Sequence, residues 1–222
     1  AVTMFPTIEV IRQTVQWKAQ LLIVHEPLFY DHHDNAKPRD PVVTAKQKLL
    51  NDSDMAVYRF HDHPHRWSRD MIAQGEIEAM GLSGKWLDRI QPDPHIYVLD
   101  KPIAPRELAL ELKDKLGAEH IRIIGAIDKP CSRLSLCLGA PNKAYGEIRK
   151  NNVEIVISGE ICEWQEGEYV RDASVLGLNK AILVLGHAAS ERDGIRWLGK
   201  FLQQKYPQFE TRYFECGEIY AK

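Results

Sequence analysis

The sequence predicts an α/β protein with largely parallel strands, and three observations carry that expectation. Short continuous apolar runs, such as Leu21-Leu-Ile-Val24 and Ala181-Ile-Leu-Val-Leu185, have the length of strands buried on both faces. The segments between them carry helix punctuation: Thr7 as a cap, Pro105 in a first turn, Gly81 just past a last turn. The two kinds of segment alternate along the chain, the order expected of parallel strands joined by helices.

Taken in order, Ala1–Met4 reads as the end of a strand. Thr7 caps a helix with Ile8, Ile11, Val15 and Trp17 roughly on one side. The strand at 21–24 ends in His25-Glu26-Pro27. Pro27 lacks an N–H and disfavours helix at Glu26, so the chain leaves the sheet there. Residues 30–40 are polar and read as a loop, followed by a helix at about 43–51 and a strand at 56–60 that runs into His61-Asp-His-Pro-His65. Residues 70–80 read as a helix, 96–99 as a strand and Pro105–Leu116 as a helix. Strands near 121–125 and 133–138, a helix near 141–150, a strand at 153–157 and a helix near 166–176 come next. A strand at 181–185, a helix at 188–205 and a final strand near 209–215 complete the series, with no internal repeat.

A chain of 222 residues suits one large domain or two small ones, and 44% hydrophobic with 27% charged residues is an ordinary globular balance. A net charge of −2 gives no bulk attraction for nucleic acid or an anionic membrane, so no nucleic-acid partner is indicated. No stretch approaches the roughly 20 apolar residues that cross a bilayer. The four cysteines, at 131, 137, 162 and 216, form no C-x-x-C pair and read as small buried hydrophobes in a reducing compartment. With no basic-then-apolar leader, the cytoplasm is the expected location. The chain opens on Ala1 and runs straight into structured sequence, which suggests that N-terminal sequence precedes it.

Three polar clusters fall just past predicted strand ends: His25-Glu26, His61-Asp62-His63-Pro64-His65, and Gly186-His187 with Glu191. In open α/β sheets that edge is where ligands bind. His187 and Glu191, four apart at a helix start, share a face and can reach one metal ion. If 61–65 continues extended, His61, His63 and His65 point to one side and Asp62 to the other. Imidazole with carboxylate suits Zn, Fe, Mn, Co or Ni better than Mg or Ca. Singly, each cluster has a plainer reading: a polar turn, a pair stabilised by the helix dipole, a hydrogen-bonded strand end. Their weight comes from occurring together. His32-His33-Asp34 reads as solvated loop, and His95 and His120 as ordinary, partly buried residues.

These residues resemble the Nif-three-like (YbgI-type) dinuclear metal-centre hexameric proteins, some of which are labelled type 2 homologues of GTP cyclohydrolase I. Thr7-Ile-Glu-Val-Ile11 leads to Leu22-Ile-Val-His-Glu-Pro-Leu-Phe-Tyr30, where the family usually has His-His-Pro-Leu-Phe and a subgroup has His-Glu-Pro. His25 thus keeps the first ligand position and Glu26 puts a carboxylate at the second. Tyr58-Arg-Phe-His61 resembles the strand that runs into the family's His-Thr-x-x-Asp. The family's histidine falls on His61 and its aspartate ligand on His65, a departure that leaves His61, Asp62, His63 and His65 all as candidates, His65 ahead of His61. Ser158-Gly-Glu160 resembles Thr-Gly-Asp/Glu, and Gly186-His187-Ala-Ala-Ser-Glu191 resembles Gly-His-x-x-x-Glu, whose His and Glu bind metal. Glu163-Trp164 and Tyr169-Val-Arg-Asp-Ala173 look like the same subgroup.

The resemblance implies a two-part α/β fold of mostly parallel strands flanked by helices, with a metal cleft between the parts. Residues 1–100 with 180–222 would form the ligand-carrying part and 101–179 the other. It implies two divalent ions per chain, held by His25, Glu26, His61, His65, His187 and Glu191. Glu160 would be a carboxylate behind a ligand or a general base, with a turn-capping role as the plain alternative. A toroidal homohexamer and metal-dependent hydrolysis of a small molecule follow from the same source. The substrate could be GTP-like, a cyclic amide or a phosphoester. GTP ring-opening finds little local support: no P-loop-type glycine run is present, and the basic residues beside the motifs are Arg66 and Arg192. The alternative function is a non-enzymatic metal-binding or partner-binding scaffold.

Overall fold

In a computed structural model describing residues 1–35, 39–67, 69–87, 95–140 and 143–220, strands and helices alternate along most of the chain. In chain order these are β1 (Val2–Thr3), α1 (Ile8–Gln16), β2 (Leu21–Val24), α2 (Pro41–Asn51), β3 (Ala56–Arg59), α3 (Asp62–His65), α4 (Met71–Met80), β4 (Gly84–Trp86) and β5 (His95–Ile103). There follow α5 (Pro105–Leu116), β6 (Arg122–Gly125), β7 (Cys131–Cys137), α6 (Ala144–Ile148), β8 (Ile155–Ser158), a π-turn (Glu163–Gly167), α7 (Glu168–Val175), β9 (Ala181–Val184) and α8 (His187–Lys205). Among the described residues no helix is long and apolar enough to cross a membrane.

The chain divides into two units, Ala1–Gly75 with Arg192–Lys222, and Glu76–Glu191. The sequence reading drew these divisions near 100 and 180. They lie elsewhere because β4, β5 and β9 hydrogen-bond into the second sheet. His187 and Glu191 therefore belong to the second unit, at the very start of a helix whose remainder belongs to the first.

The first unit holds a three-stranded parallel sheet in the order β1-β2-β3, with Leu22 opposite Val57 and Val24 opposite Arg59. Thr7 Oγ1 accepts from Val10 N at 3.1 Å and starts α1, which buries Val10, Ile11 and Thr14 and leaves Val15 40% exposed. Ile11 packs with Leu22, Val24 and Met55 beneath the sheet. The final strand expected near 209–215 is reduced to one bridge between Val2 and Tyr213, because β1 offers only two residues to pair with.

The second unit holds a six-stranded sheet in the order β4-β5-β7-β8-β9-β6. Here β7, β8 and β9 run parallel, while β4–β5, β5–β7 and β6–β9 pair antiparallel. Every residue of β9 is buried, as its apolar run predicted, and so is every residue of β8; the run Leu21–Val24 in the first unit's β2 departs from that expectation, with Leu21 44% exposed and Ile23 half-buried. Val156, Ile182 and Val184 pack there against Ile148 and Val170. β4 is an element the sequence reading did not contain. His120 is exposed rather than partly buried, and the His95 side chain lies outside the described residues.

Candidate metal centre

In the first unit the ladder continues past β2: His25 N donates to Thr3 O at 3.2 Å and Glu26 N to Met4 O at 3.0 Å. These bonds hold two polar side chains at the buried end of a strand, His25 at 0% and Glu26 at 8% exposure. His25 Nδ1 lies 3.1 Å from Phe60 O. A carbonyl only accepts, so Nδ1 carries the hydrogen and Nε2 presents its lone pair.

The run 61–65 is not extended. It forms the one-turn helix α3, where Pro64 is tolerated because first-turn N–H groups have no helical partner. The helical turn brings His61 and His65 to the same side and sends His63 elsewhere, to stack on Phe60 at 5.8 Å. The His61 ring stacks on His25 at 4.7 Å, and His65 meets His25 edge-on at 5.2 Å. His65 Nδ1 donates to Asp70 Oδ2 at 3.0 Å. Asp70 Oδ1 accepts from Ile72 N at 2.8 Å and Ala73 N at 3.1 Å, capping α4.

This leaves His65 Nε2 turned toward His25 Nε2 at 3.4 Å. Two lone pairs facing each other repel, and a shared cation or a proton relieves the repulsion. His61 repeats the pattern, with Nδ1 on Asp62 Oδ1 at 2.9 Å and Nε2 3.6 Å from Glu26 Oε1. The His61 hydrogen bond, its largest influence, holds the Asp62 carboxyl below the usual range. One ring nitrogen each from His25, His61 and His65 lie within 4.8 Å of one another, a grouping able to hold a metal ion.

In the second unit the site is built at the ends of three adjacent parallel strands. Beyond β7, β8 and β9 stand Gly139, Gly159-Glu160 and Gly186-His187. Gly186 N donates to Gly159 O at 3.0 Å, which ties two of these ends together. His187 Nδ1 donates to Glu160 Oε1 at 2.5 Å, and its Nε2 lies 3.3 Å from Glu191 Oε2. Glu191 is 4% exposed, and room for it depends on Gly139, where a Cβ would lie 2.6 Å from Glu191 Oε1. Ser190 Oγ accepts from Gly139 N at 3.0 Å and donates to His187 O at 2.9 Å, fastening the helix start to the loop.

The chain also matches known proteins. The family model for Duf34/NIF3 (NGG1p interacting factor 3) matches residues 1–218. The chain belongs to the Duf34/NIF3 family. Curated relatives named "GTP cyclohydrolase 1 type 2 homolog" include one from Clostridium perfringens, 24% identical over 195 residues, spanning 83% of this chain and 70% of that protein. One from Buchnera aphidicola is 27% identical over 206 residues, spanning 89% and 76%. Among solved structures, protein ybgI, described as of unknown function, aligns at a TM-score of 0.79 and 20% identity over 98% of this chain and 83% of that one. Reduced HcgD from Methanocaldococcus jannaschii aligns at 0.71 and 14% identity over 96% and 81%. Identities this low carry the fold and not an activity.

Within this family fold, His25, His61, His65 and His187 share one device. In each, Nδ1 is engaged by an acceptor and Nε2 is turned toward another imidazole or a carboxylate. Acceptors behind a metal-binding imidazole fix its tautomer and raise its basicity. Sequence reasoning missed Asp62 as a partner for His61, and it missed Asp70, Gly139 and Ser190. Asp70 was visible only as a residue at a helix start, and nothing local marked Gly139.

Proposed function

We propose that the protein is a divalent-metal-dependent hydrolase acting on a small molecule. His25, Glu26, His61 and His65 of the first unit and His187 and Glu191 of the second would be the ligands of two ions per chain. The observation that carries the reading is the opposed Nε2 pair of His25 and His65, both with Nδ1 already committed. The nitrogen-rich donor set with carboxylates fits Zn, Fe, Mn, Co or Ni. Ions bound there supply Lewis acidity and a water deprotonated near neutral pH.

The chain's own groups do the rest. Phe60 O, Asp62, Asp70 and Glu160 orient the four imidazoles through their Nδ1 hydrogens. Glu160 is in this reading a positioning carboxylate for His187. Glu26, beside His61 Nε2, is a further carboxylate able to ligate or to accept a proton. The name shared by the curated relatives makes GTP the first substrate to try, followed by cyclic amides and phosphoesters.

In the second unit Val175, Leu176 and Leu178 are exposed in one short stretch, an apolar surface consistent with self-association as a toroidal homohexamer. Light scattering at six times 25.5 kDa would support that assembly, and a monomer would refute it. The cysteines are unbridged, and burial pushes the Cys131 and Cys137 thiols up to about 12, in keeping with structural roles in a reducing cytoplasm.

The decisive experiment is metal content per chain on untagged protein, with turnover measured on the three substrate classes. Two ions per chain, fewer in His187→Ala and fewest in His25→Ala, together with turnover that needs the metal, is the expected result. Absence of uptake after loading with Zn, Mn and Fe(II) rejects the metal reading. Full occupancy without turnover rejects the hydrolase and leaves a metal-binding scaffold.

A further inference from the structure

The loop that follows His25-Glu26 does not run off into solvent. It returns so that the His32 ring stands edge-on to His61, at 5.7 Å between centroids and 86° between planes. The sequence reading took His32 for a solvated loop residue, and it is indeed exposed, but it is also held. Arg59 of β3 donates through Nη1 to His32 O, and its Nε lies 3.5 Å from His25 O. One guanidinium thus ties the loop to the backbone of a ligand residue. Arg59 Nη2 is 3.5 Å from His32 Nδ1. A guanidinium can only donate, so Nδ1 is the accepting nitrogen and the hydrogen sits on Nε2. Among the described residues nothing accepts from that Nε2–H.

The rest of the loop is braced to keep His32 there. Asp34 Oδ1 accepts from Leu28 N and from Phe29 N, the latter at 3.0 Å. The buried Lys46 ammonium donates to Leu28 O and lies 4.6 Å from the Tyr30 ring centre. Tyr30 and Asp34 hold left-handed backbone at φ 61° and 55°, a cost to the fold that surrounding contacts must offset. A preorganised donor with no protein acceptor, beside imidazoles that would hold a metal, is what a developing oxyanion requires.

We propose that His32 is a substrate-binding residue whose Nε2–H donates to an anionic oxygen of the molecule held at the His25–His61–His65 cluster. This rests on the metal-dependent hydrolase reading and adds to it the residue that meets the substrate's oxyanion. Inorganic phosphate, a tetrahedral oxyanion, is the probe. The full chain is loaded with Co(II), its metal content is measured, and phosphate binding is followed by visible absorption for the wild type, His32→Ala, His32→Gln and His33→Ala.

The expected result is unchanged metal content in all four proteins and phosphate binding about tenfold weaker in His32→Ala, the effect of losing one hydrogen bond to a charged group. His32→Gln, whose amide keeps an N–H donor, should recover part of the loss, and His33→Ala should match the wild type. Wild-type phosphate affinity in metal-loaded His32→Ala overturns the proposal and leaves the metal reading standing. Metal lost from His32→Ala overturns it too, since His32 would then be a ligand. So does a metal-loaded wild type that does not respond to phosphate. A wild type that takes up no Co(II) removes the metal reading and this proposal together.

Discussion

The imidazoles of the first unit and the imidazole–carboxylate pair of the second are oriented by the same device, but they are built in different ways. In the first unit two orienting groups are near in sequence, Asp62 as the neighbour of His61 and Asp70 five residues beyond His65, while the third, Phe60 O, reaches His25 across 35 residues. The ligand candidates sit on short turns and beside a loop. In the second unit Glu160 reaches His187 across 27 residues, from beyond one fully buried parallel strand to beyond the next. The first arrangement depends on local turns for His61 and His65 and on the end of a short ladder for His25, and the second depends on the register of a sheet. A local arrangement can be adjusted by single substitutions near it. A register-dependent one fails wherever the strand ends are disturbed.

The sharpest way to break this comparison is to remove one imidazole from each side. His25→Ala should cost the most, abolishing metal retention by the first unit's cluster, because His25 contacts both His61 and His65. His187→Ala should leave that cluster able to hold metal, at reduced stoichiometry by elemental analysis. Equal and total loss in both variants would mean that neither set works alone.

Next in size is a pH effect confined to the first unit. Burial lowers the Lys46 ammonium from 10.5 to about 8, a change worth no more than about 3 kcal/mol. Below pH 8 both folded and unfolded chains hold the proton and the burial penalty is fully felt. Between about 8 and 10.5 the unfolded chain holds a proton that the folded chain has released, so stability rises with pH. Denaturant titrations should show this rise in the wild type and its disappearance in Lys46→Met.

Gly139→Ala tests the register-dependent side. Its Cβ would meet the Glu191 carboxylate at 2.6–2.9 Å on a backbone at φ 69°. A loss of about 1–3 kcal/mol in unfolding free energy is expected. An unchanged melting temperature with unchanged metal content would remove the glycine from the account. Smaller still are Asp70→Asn and Glu160→Gln, each expected to weaken metal binding about 10–100-fold by calorimetry. Asp70→Asn should also lower stability, whereas Glu160→Gln should not. His63→Ala, whose ring stacks on Phe60, should leave metal binding unchanged.

Much of the fold was legible because its cues are local. Pro105 at the first turn and Gly117 in left-handed conformation bound α5 as the sequence reading placed it. The all-apolar run of β9 marked it as a buried strand. What failed lacked such cues. The run 61–65 is too short to show a period, so no pattern opposed the extended reading, and the helix changed which histidines share a side. β4 is three residues, Gly84-Lys-Trp86, legible only through its partner β5. The last strand depended on how long β1 is, which no feature of 209–215 records. At the candidate site the histidines and glutamates were visible as residue types at strand ends. Of the groups that aim them, Glu160 was marked by the Ser158-Gly-Glu160 motif, whereas Asp70 is defined by its contacts rather than by any motif.

Asp70 has one further consequence. Its two carboxylate oxygens serve different clients, Oδ2 the His65 ring and Oδ1 the amides of Ile72 and Ala73. Anything that draws on His65 Nε2 polarises the ring, strengthens the Nδ1 hydrogen bond and steadies the carboxylate under the helix. The amide protons of Ile72 and Ala73 should therefore exchange with deuterated solvent more slowly in the loaded protein than in the empty one. The first turn of α4 would then act as a gauge of occupancy, readable without a substrate.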